Sequence, residues 1–454
     1  MGQTCPGYRD QLNLLFRDET TKTREKIKQK QFYDQKTQRR MKNAVTPFMT
    51  VHRPLLASKD TIAICNFYHS TTENLSDEDP TMYLQQQLPN LHSTSSQGSV
   101  LHLALEAVSY AASMKIMPEA NHLSQNRYLK AVRVLREAIH NEKHNSDETL
   151  YGILLLCGYE TMTGQSCMPS AWGAHVDGAQ ALMKLRANNL DTPLSRGMFA
   201  FIRRNVVMSQ MQTCQPVEKF FTQNVACEDP ESRLISLAAN IPALQHQASH
   251  IGHLEKNAIE KSAYNVNELD LKLSAWARNV PPSWSYATAL NINDAHLYAP
   301  RVVHRYSHFY IARVWNFYRI SRLILQSIQL RLPGTDTRET ENRIAGLVDD
   351  ICATVPYLLG HNLSKMKLHF TDKQVPPVVK SSAVKGNRDT GRLSLIWPLY
   401  VASSASSIPL AQRDWMRSQL QLLTEDGIPL AKSVCGAESQ ILLGRPEIFR
   451  FDCV

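Results

Sequence analysis

Apolar residues return every three or four positions along most of this chain after Val100, a period that helices use and strands do not. In "RYLKAVRVLREAIHN", Leu129, Val132, Leu135 and Ile139 follow steps of three, three and four. "DETLYGILLLCGYE" comes next, with Asp147 placed to cap its start and an apolar run too broad for a surface helix. "AWGAHVDGAQALMKLRA" has the same character, and "NELDLKLSAWARNV" ends at Pro281-Pro282. The longest periodic stretch, "RVVHRYSHFYIARVWNFYRISRLILQSIQLRL", reads as one helix up to Pro333-Gly334. "ENRIAGLVDDICATVPYLLG" and "QRDWMRSQLQLLTEDG" add two more. Strand alternation, N-G or D-G hairpins and tandem repeats are missing. The pattern predicts an all-α fold, a large multi-helix body behind a basic, partly flexible N-terminal segment.

At 454 residues the chain is long enough to bury a sizeable core, and 43% hydrophobic with 20% charged residues suits a globular protein. The charge is unevenly placed. Residues 1–60 hold 13 Lys/Arg against 6 Asp/Glu, a net of +7, whereas the other 394 residues hold 37 against 35. The segment "RDETTKTREKIKQKQFYDQKTQRRMK" has no Gly, no Pro and little apolar stripe, so it reads as an exposed helix or arm closed off by Pro47 and Pro54. A focused positive segment suits a polyanion such as nucleic acid, or else is a solvated tail.

Nine cysteines, at 5, 65, 157, 167, 214, 227, 352, 435 and 453, include no C-x-x-C pair. Several sit in apolar segments, which predicts reduced, mostly buried thiols in an intracellular protein. No secretory h-region opens the chain, and Pro6 stands where a myristoylation motif needs Ser or Thr. Leu393 to Gln412 carries no charged side chain over a bilayer-spanning length. With Pro398, Pro409 and five serines it reads instead as a buried core helix broken by proline, so no membrane association is expected.

Three histidine groups have helical spacing: His140 with His144, His246 with His250 and His253, and His304 with His308. The first lacks a glutamate directly after its first histidine, which a zinc protease uses as general base, and has Asn141 there instead. The second has no acidic residue between its histidines, and the third lies in an aromatic helix, where satisfied packing histidines explain it. No G-x-S-x-G, G-x-x-x-x-G-K or G-x-G-x-x-G is present. "TGQSC" at 163–167 places Cys167 beside nothing that would activate it. No catalytic residue is expected, and the chain reads as a non-enzyme. Phe309, Tyr310, Trp315, Phe317 and Tyr318, interleaved with Arg313, Arg319 and Arg322, could stack on single-stranded nucleic acid. Core packing, with the arginines snorkelling to the surface, is the simpler reading.

The opening "CPGYRDQLNLLFRDET" resembles the sequence that follows the zinc cluster in one group of fungal Zn2Cys6 (zinc binuclear cluster) transcription factors. In order along the chain, "LALEAVSYAAS", "YLKAVRVLREAI", "DETLYGILLLCGYE", "WGAHVDGAQALMKLRA", "LDLKLSAWA", "VWNFYRISRLIL", "VDDICATVPYLLG", "IWPLYVASS" and "GIPLAKSV" resemble that family's helical regulatory domain. The resemblance makes Cys5 the counterpart of the sixth cluster cysteine. Its five partners and the basic residues between them are missing, and one thiolate cannot hold two zinc ions. No metal site or cofactor is therefore expected in the chain as written, and zinc only if a cluster lies upstream of Met1. Either the start is misassigned or this is a cluster-less relative.

What the resemblance implies is a nuclear transcriptional regulator of metabolic or secondary-metabolite genes. Residues 1–45 would be the cluster edge and basic linker, and 46–454 the regulatory domain. Lys22, Arg24, Lys26, Lys28, Lys30, Lys36, Arg39, Arg40 and Lys42 would contact DNA phosphates, without sequence preference, or serve nuclear import. The alternative is a coregulator that works through an intact DNA-binding partner, as a homo- or heterodimer. A third reading is a helical enzyme or small-molecule sensor. The basic segment lacks the a/d heptads of a dimerising coiled coil.

Overall fold

The computed structural model describes residues 57–72, 82–140, 146–163, 169–185, 190, 192–222, 229–250, 255–291, 299–361, 368–370, 385–405 and 407–435. By its contacts the chain divides into Met1–Ala57 and Ser58–Val454, and every element described lies in the second unit. The expected boundary at residue 45 falls outside the described residues.

Helices α1 (Lys59–Thr72), α2 (Met82–Thr94), α3 (Val100–Ala112), α4 (Ala120–His140), α5 (Asp147–Thr163) and α6 (Pro169–Leu185) come first. Then follow α7 (Pro193–Thr213), α8 (Pro230–Ala238), α9 (Ile241–Ser249) and α10 (Lys256–Arg278). Strands β1 (Ala287–Asn291) and β2 (Val302–Arg305) precede α11 (Phe309–Gln329) and α12 (Thr337–Leu358). Strand β3 (Leu368–Phe370) and helices α13 (Lys385–Ser403), α14 (Leu410–Glu425) and α15 (Pro429–Cys435) complete the order. The all-α expectation holds for the body.

Local chemistry sets many helix starts. Ser99 accepts from the His102 N–H, Thr192 from Ser195, Asp229 from Ser232 and Asp336 from Glu339, each satisfying an amide that the first turn leaves without a partner. Pro193 and Pro230 follow their caps at the position where a missing N–H costs nothing. The cap of α5 is Ser146, not the expected Asp147: its hydroxyl accepts from the Thr149 N–H at 3.1 Å, and Asp147 is the first helical residue.

Among the described residues two large hydrophobic cores form beside two small clusters, and α7 serves both large ones. Its Met198, Ile202 and Val206, four apart, join a core made with α2, α3, α5 and α6. Val207 and Met211, turned by about 100° per residue, join the second core with α8 to α15. Helix α11 is the axis of that second core, with seventeen residues buried.

Four departures from the expected pattern have physical causes. A three-stranded antiparallel sheet, order β2-β1-β3, pairs Ala287 with Arg305, Ala289 with Val303 and Ala289 with Phe370. The pattern missed it because strands of three to five residues are too short to display alternation. The long periodic stretch accordingly splits: "VVHR" is β2, and the helix starts at Phe309. Pro398 does not break α13, which runs on to Ser403 because Leu395, Ile396, Leu399 and Tyr400 are all buried around it. Pro409 instead separates α13 from α14. On α4, Leu135 is buried but Leu129 is 63% and Ile139 48% exposed, since Ala131 and Leu135 face the core. Among the described residues no helix is long and apolar enough to cross a membrane.

Candidate functional site

The polar groups that the fold collects are buried ionic clusters, and the arginines of α11 build the main one. Phe309 is partly buried, and Tyr310, Trp315, Phe317 and Tyr318 are in the core as expected. The arginines do not snorkel outward. Arg319 is 1% exposed and is the largest fully buried side chain described. Arg322 points at α10, where it donates to Asp270 through Nε and Nη2 at 2.7 and 2.8 Å. Arg313 reaches Glu231 of α8 at 3.3 Å.

Arg319 sits in a network drawn from three elements. Its Nη1 donates to the Tyr306 hydroxyl at 2.9 Å and to Asn316 Oδ1 at 3.2 Å. Asn316 in turn donates to Thr354 of α12 at 3.0 Å, and Thr354 donates to the Ile351 carbonyl. Arg319 Nη2 lies 3.4 Å from His304 Nδ1. A guanidinium only donates, so Nδ1 accepts and the imidazole proton resides on Nε2. That nitrogen faces Asp350 Oδ1 at 3.8 Å, while Arg319 Nε lies 3.5 Å from Oδ2. Rings of Tyr286 and Trp315 stand 5.2 and 5.6 Å from the guanidinium, within cation–π range.

Burial, with the Arg319 charge beside it, pushes the His304 imidazole down to about 2, so it is neutral. Burial also raises the Asp350 carboxyl, against the opposing pull of Arg319, and raises the Tyr306 phenol. The expected reading of His304 and His308 as an i, i+4 pair on a helix is overturned: His304 is on β2, and His308 occupies the cap position of α11.

A second cluster ties α1, α3 and α4 together. Asp60 accepts from Tyr110 at 2.7 Å and Arg127 at 3.2 Å, and Arg127 also pairs with Glu106 at 2.8 Å. Burial raises Glu106 and would raise Asp60 too, but the hydrogen bonds from Tyr110 and Arg127 bring Asp60 below its ordinary value. His92 and His102 face one another, ring centres 4.8 Å apart, and burial lowers His92. A third junction is Glu231, which accepts from Tyr310 and pairs with Arg204 and Arg313.

Other residues singled out by pattern do not converge. Lys22, Arg24, Lys26, Lys28, Lys30, Lys36, Arg39, Arg40, Lys42 and Cys5 lie outside the described residues, as do His144, His253 and Cys167. His250 Nδ1 lies 2.9 Å from the His246 carbonyl and 3.0 Å from Ser249, which accounts for that pair. Cys157 and Cys352 are buried in different cores, while Cys65 and Cys435 are exposed. These thiols do not fit a zinc cluster, and no group of three or more His, Cys, Asp or Glu among the described residues could hold a metal ion.

Sequence comparison supplies what the clusters alone do not. Residues 61–269, from α1 through most of α10, match the profile of the fungal specific transcription factor domain. That match covers 209 of the chain's 454 residues. Transcription factor dbaG of Emericella nidulans is 30% identical over 126 residues, which are 27% of this chain and 28% of that protein. No solved structure matches. The matched region contains Glu106, Tyr110, Arg127 and Glu231 and begins one residue after Asp60. It stops one residue short of Asp270, and the Arg319 cluster lies beyond it.

Proposed function

We propose that this protein is a nuclear transcriptional regulator of metabolic genes whose helical body is its regulatory part. The observation that carries the reading is the match of residues 61–269 to a fungal specific transcription factor domain. The relative's description as a transcription factor agrees with it. The +7 charge of residues 1–60 supports a role for Lys22 to Lys42 against phosphates or in nuclear import. Deleting the gene lowers a defined set of transcripts under inducing conditions, and an unchanged transcriptome overturns the proposal.

A coregulator acting through a DNA-binding partner is the second reading, because the family match falls on the helical body and not on the basic segment. Affinity purification from nuclei separates the two. Purified chain that retains promoter DNA by itself supports the first, and DNA recovered only together with a second DNA-binding protein supports the second.

A further inference from the structure

Helix α4 carries more apolar surface than the body covers. Its stripe of Leu129, Val132, Leu135 and Ile139 has helical spacing, yet of these Leu135 alone is fully buried. Arg127 explains the rotation of the helix. It reaches inward to Asp60 of α1 and Glu106 of α3, and Ala131 and Leu135 turn to the core with it. Leu129 and Ile139 are left exposed, with Val132 half-buried between them. Ten residues of helix span about 15 Å, so these two mark the ends of a stripe about three turns long.

The charge on the same outer face is one-sided. Lys130, Arg133 and Arg136 are exposed, and Glu137 is the one carboxylate in α4. Elsewhere on the body Lys59, Lys184 and Lys272 stand beside Glu119, Glu218 and Glu268. Among the described residues no ion pair joins Lys130, Arg133 or Arg136 to a carboxylate. Lys130 acts on Glu106 only at a distance. The negative end of the helix favours Arg136, but it does not account for Lys130 in mid-helix.

That combination selects the partner. Exposed Leu129 and Ile139 gain by being covered, and the cations gain from carboxylates brought against them as water leaves. A nucleic-acid backbone would satisfy the cations but brings no apolar side chains to the stripe. A second copy using the same face would set cation against cation, since a twofold contact pairs like surfaces. An acidic amphipathic helix meets both needs, laying its apolar side along the stripe and its carboxylates against the three cations.

We propose that the outer face of α4 is a docking surface for an acidic amphipathic helix of another protein. Leu129, Val132 and Ile139 take its apolar side, and Lys130, Arg133 and Arg136 take its carboxylates. The inference goes beyond the transcriptional reading and does not depend on it, since it is tested on the purified chain.

The test uses the purified full-length protein and a fluorescein-labelled peptide of about 15 residues, long enough to span the stripe. The peptide has leucines at helical spacing and glutamates between them. Fluorescence anisotropy at constant ionic strength reports binding. The parent binds this peptide saturably, and the same peptide with glutamine for glutamate binds about tenfold more weakly. Arg133→Glu with Arg136→Glu weakens binding about tenfold. Lys261→Glu with Arg278→Glu, an equal change of charge on the exposed side of α10, leaves it unchanged. Leu129→Gln with Ile139→Gln, which alters no charge, weakens it about fivefold. All six side chains are exposed, and far-ultraviolet dichroism confirms that each variant is folded. No saturable binding, an equal loss in the α10 variant, or no loss on replacing Leu129 and Ile139 overturns the proposal. So does a Arg133→Glu, Arg136→Glu variant that loses a labelled DNA duplex but keeps the peptide, which assigns the face to phosphates.

Discussion

Arg322 and Asp270 meet through two parallel hydrogen bonds, Nε to Oδ1 at 2.7 Å and Nη2 to Oδ2 at 2.8 Å, between helices 52 residues apart in sequence. Asp270 is 4% exposed, so the pair is largely withdrawn from water. Tyr318 accepts a further bond from Arg322 at 3.1 Å. Asp270→Asn leaves the guanidinium without a counter-charge and lowers unfolding stability by about 3–5 kcal/mol, measured in denaturant. Arg322→Met with Asp270→Leu recovers most of that loss, because an apolar pair removes both desolvation costs together.

His304 predicts a pH dependence with a defined sign. Its folded value is held at about 2, below the ordinary 6.5, by burial and then by Arg319. A depressed value means that the unfolded chain binds the proton more readily. The contribution to stability is complete above about pH 6.5 and is lost as pH falls towards the folded value, at about 1.4 kcal/mol per pH unit. His304→Asn flattens the acid limb of the stability curve between about pH 6 and pH 4. Equal slopes in parent and variant, from denaturant melts across that range, would count against the assignment.

Two helical glycines separate crowding from propensity. A Cβ at Gly391 would fall 2.3 Å from the Leu358 carbonyl oxygen, where α13 crosses the end of α12. Gly391→Ala forces the backbones apart and destabilises by about 1–3 kcal/mol. At Gly346, exposed in the middle of α12, a Cβ meets nothing within 4 Å. Gly346→Ala stabilises by about 0.5–1 kcal/mol through helix propensity. Thermal melts of the two variants therefore shift in opposite directions.

Glu231 links the family-matched region to what lies beyond it. Its carboxylate takes Arg204 of α7 and both Tyr310 and Arg313 of α11. Glu231→Gln weakens three charge-assisted contacts together and costs on the order of 2 kcal/mol. In a double-mutant cycle Arg313→Met on the Glu231→Gln background costs less than it does alone, and additive losses would show that the two are not coupled.

The helical body was legible because its signals are local. Asp336, Thr192 and Asp229 also cap helix starts by groups that bond within one turn, but the spacing of apolar residues does not reveal them. The Ser146–Asp147 step misled, since either side chain can cap and only the backbone geometry chooses. The sheet escaped notice because Ala287, Ala289 and Val303 are buried by neighbours far along the chain rather than by their own periodicity.

By itself the sequence determined the helical class, the burial of the α11 aromatics and the placing of net positive charge in the first sixty residues. Each follows from side-chain type and spacing alone. Tertiary structure decided where the α11 arginines go. A guanidinium on an apolar helix snorkels if water is within reach, and turns inward if a distant segment supplies acceptors. Asp270, Glu231, Tyr306 and Asp350 lie 13 to 82 positions from the arginines they meet. No local pattern carries that information, because the pairing exists only once α10, α8, β2 and α12 have packed against α11.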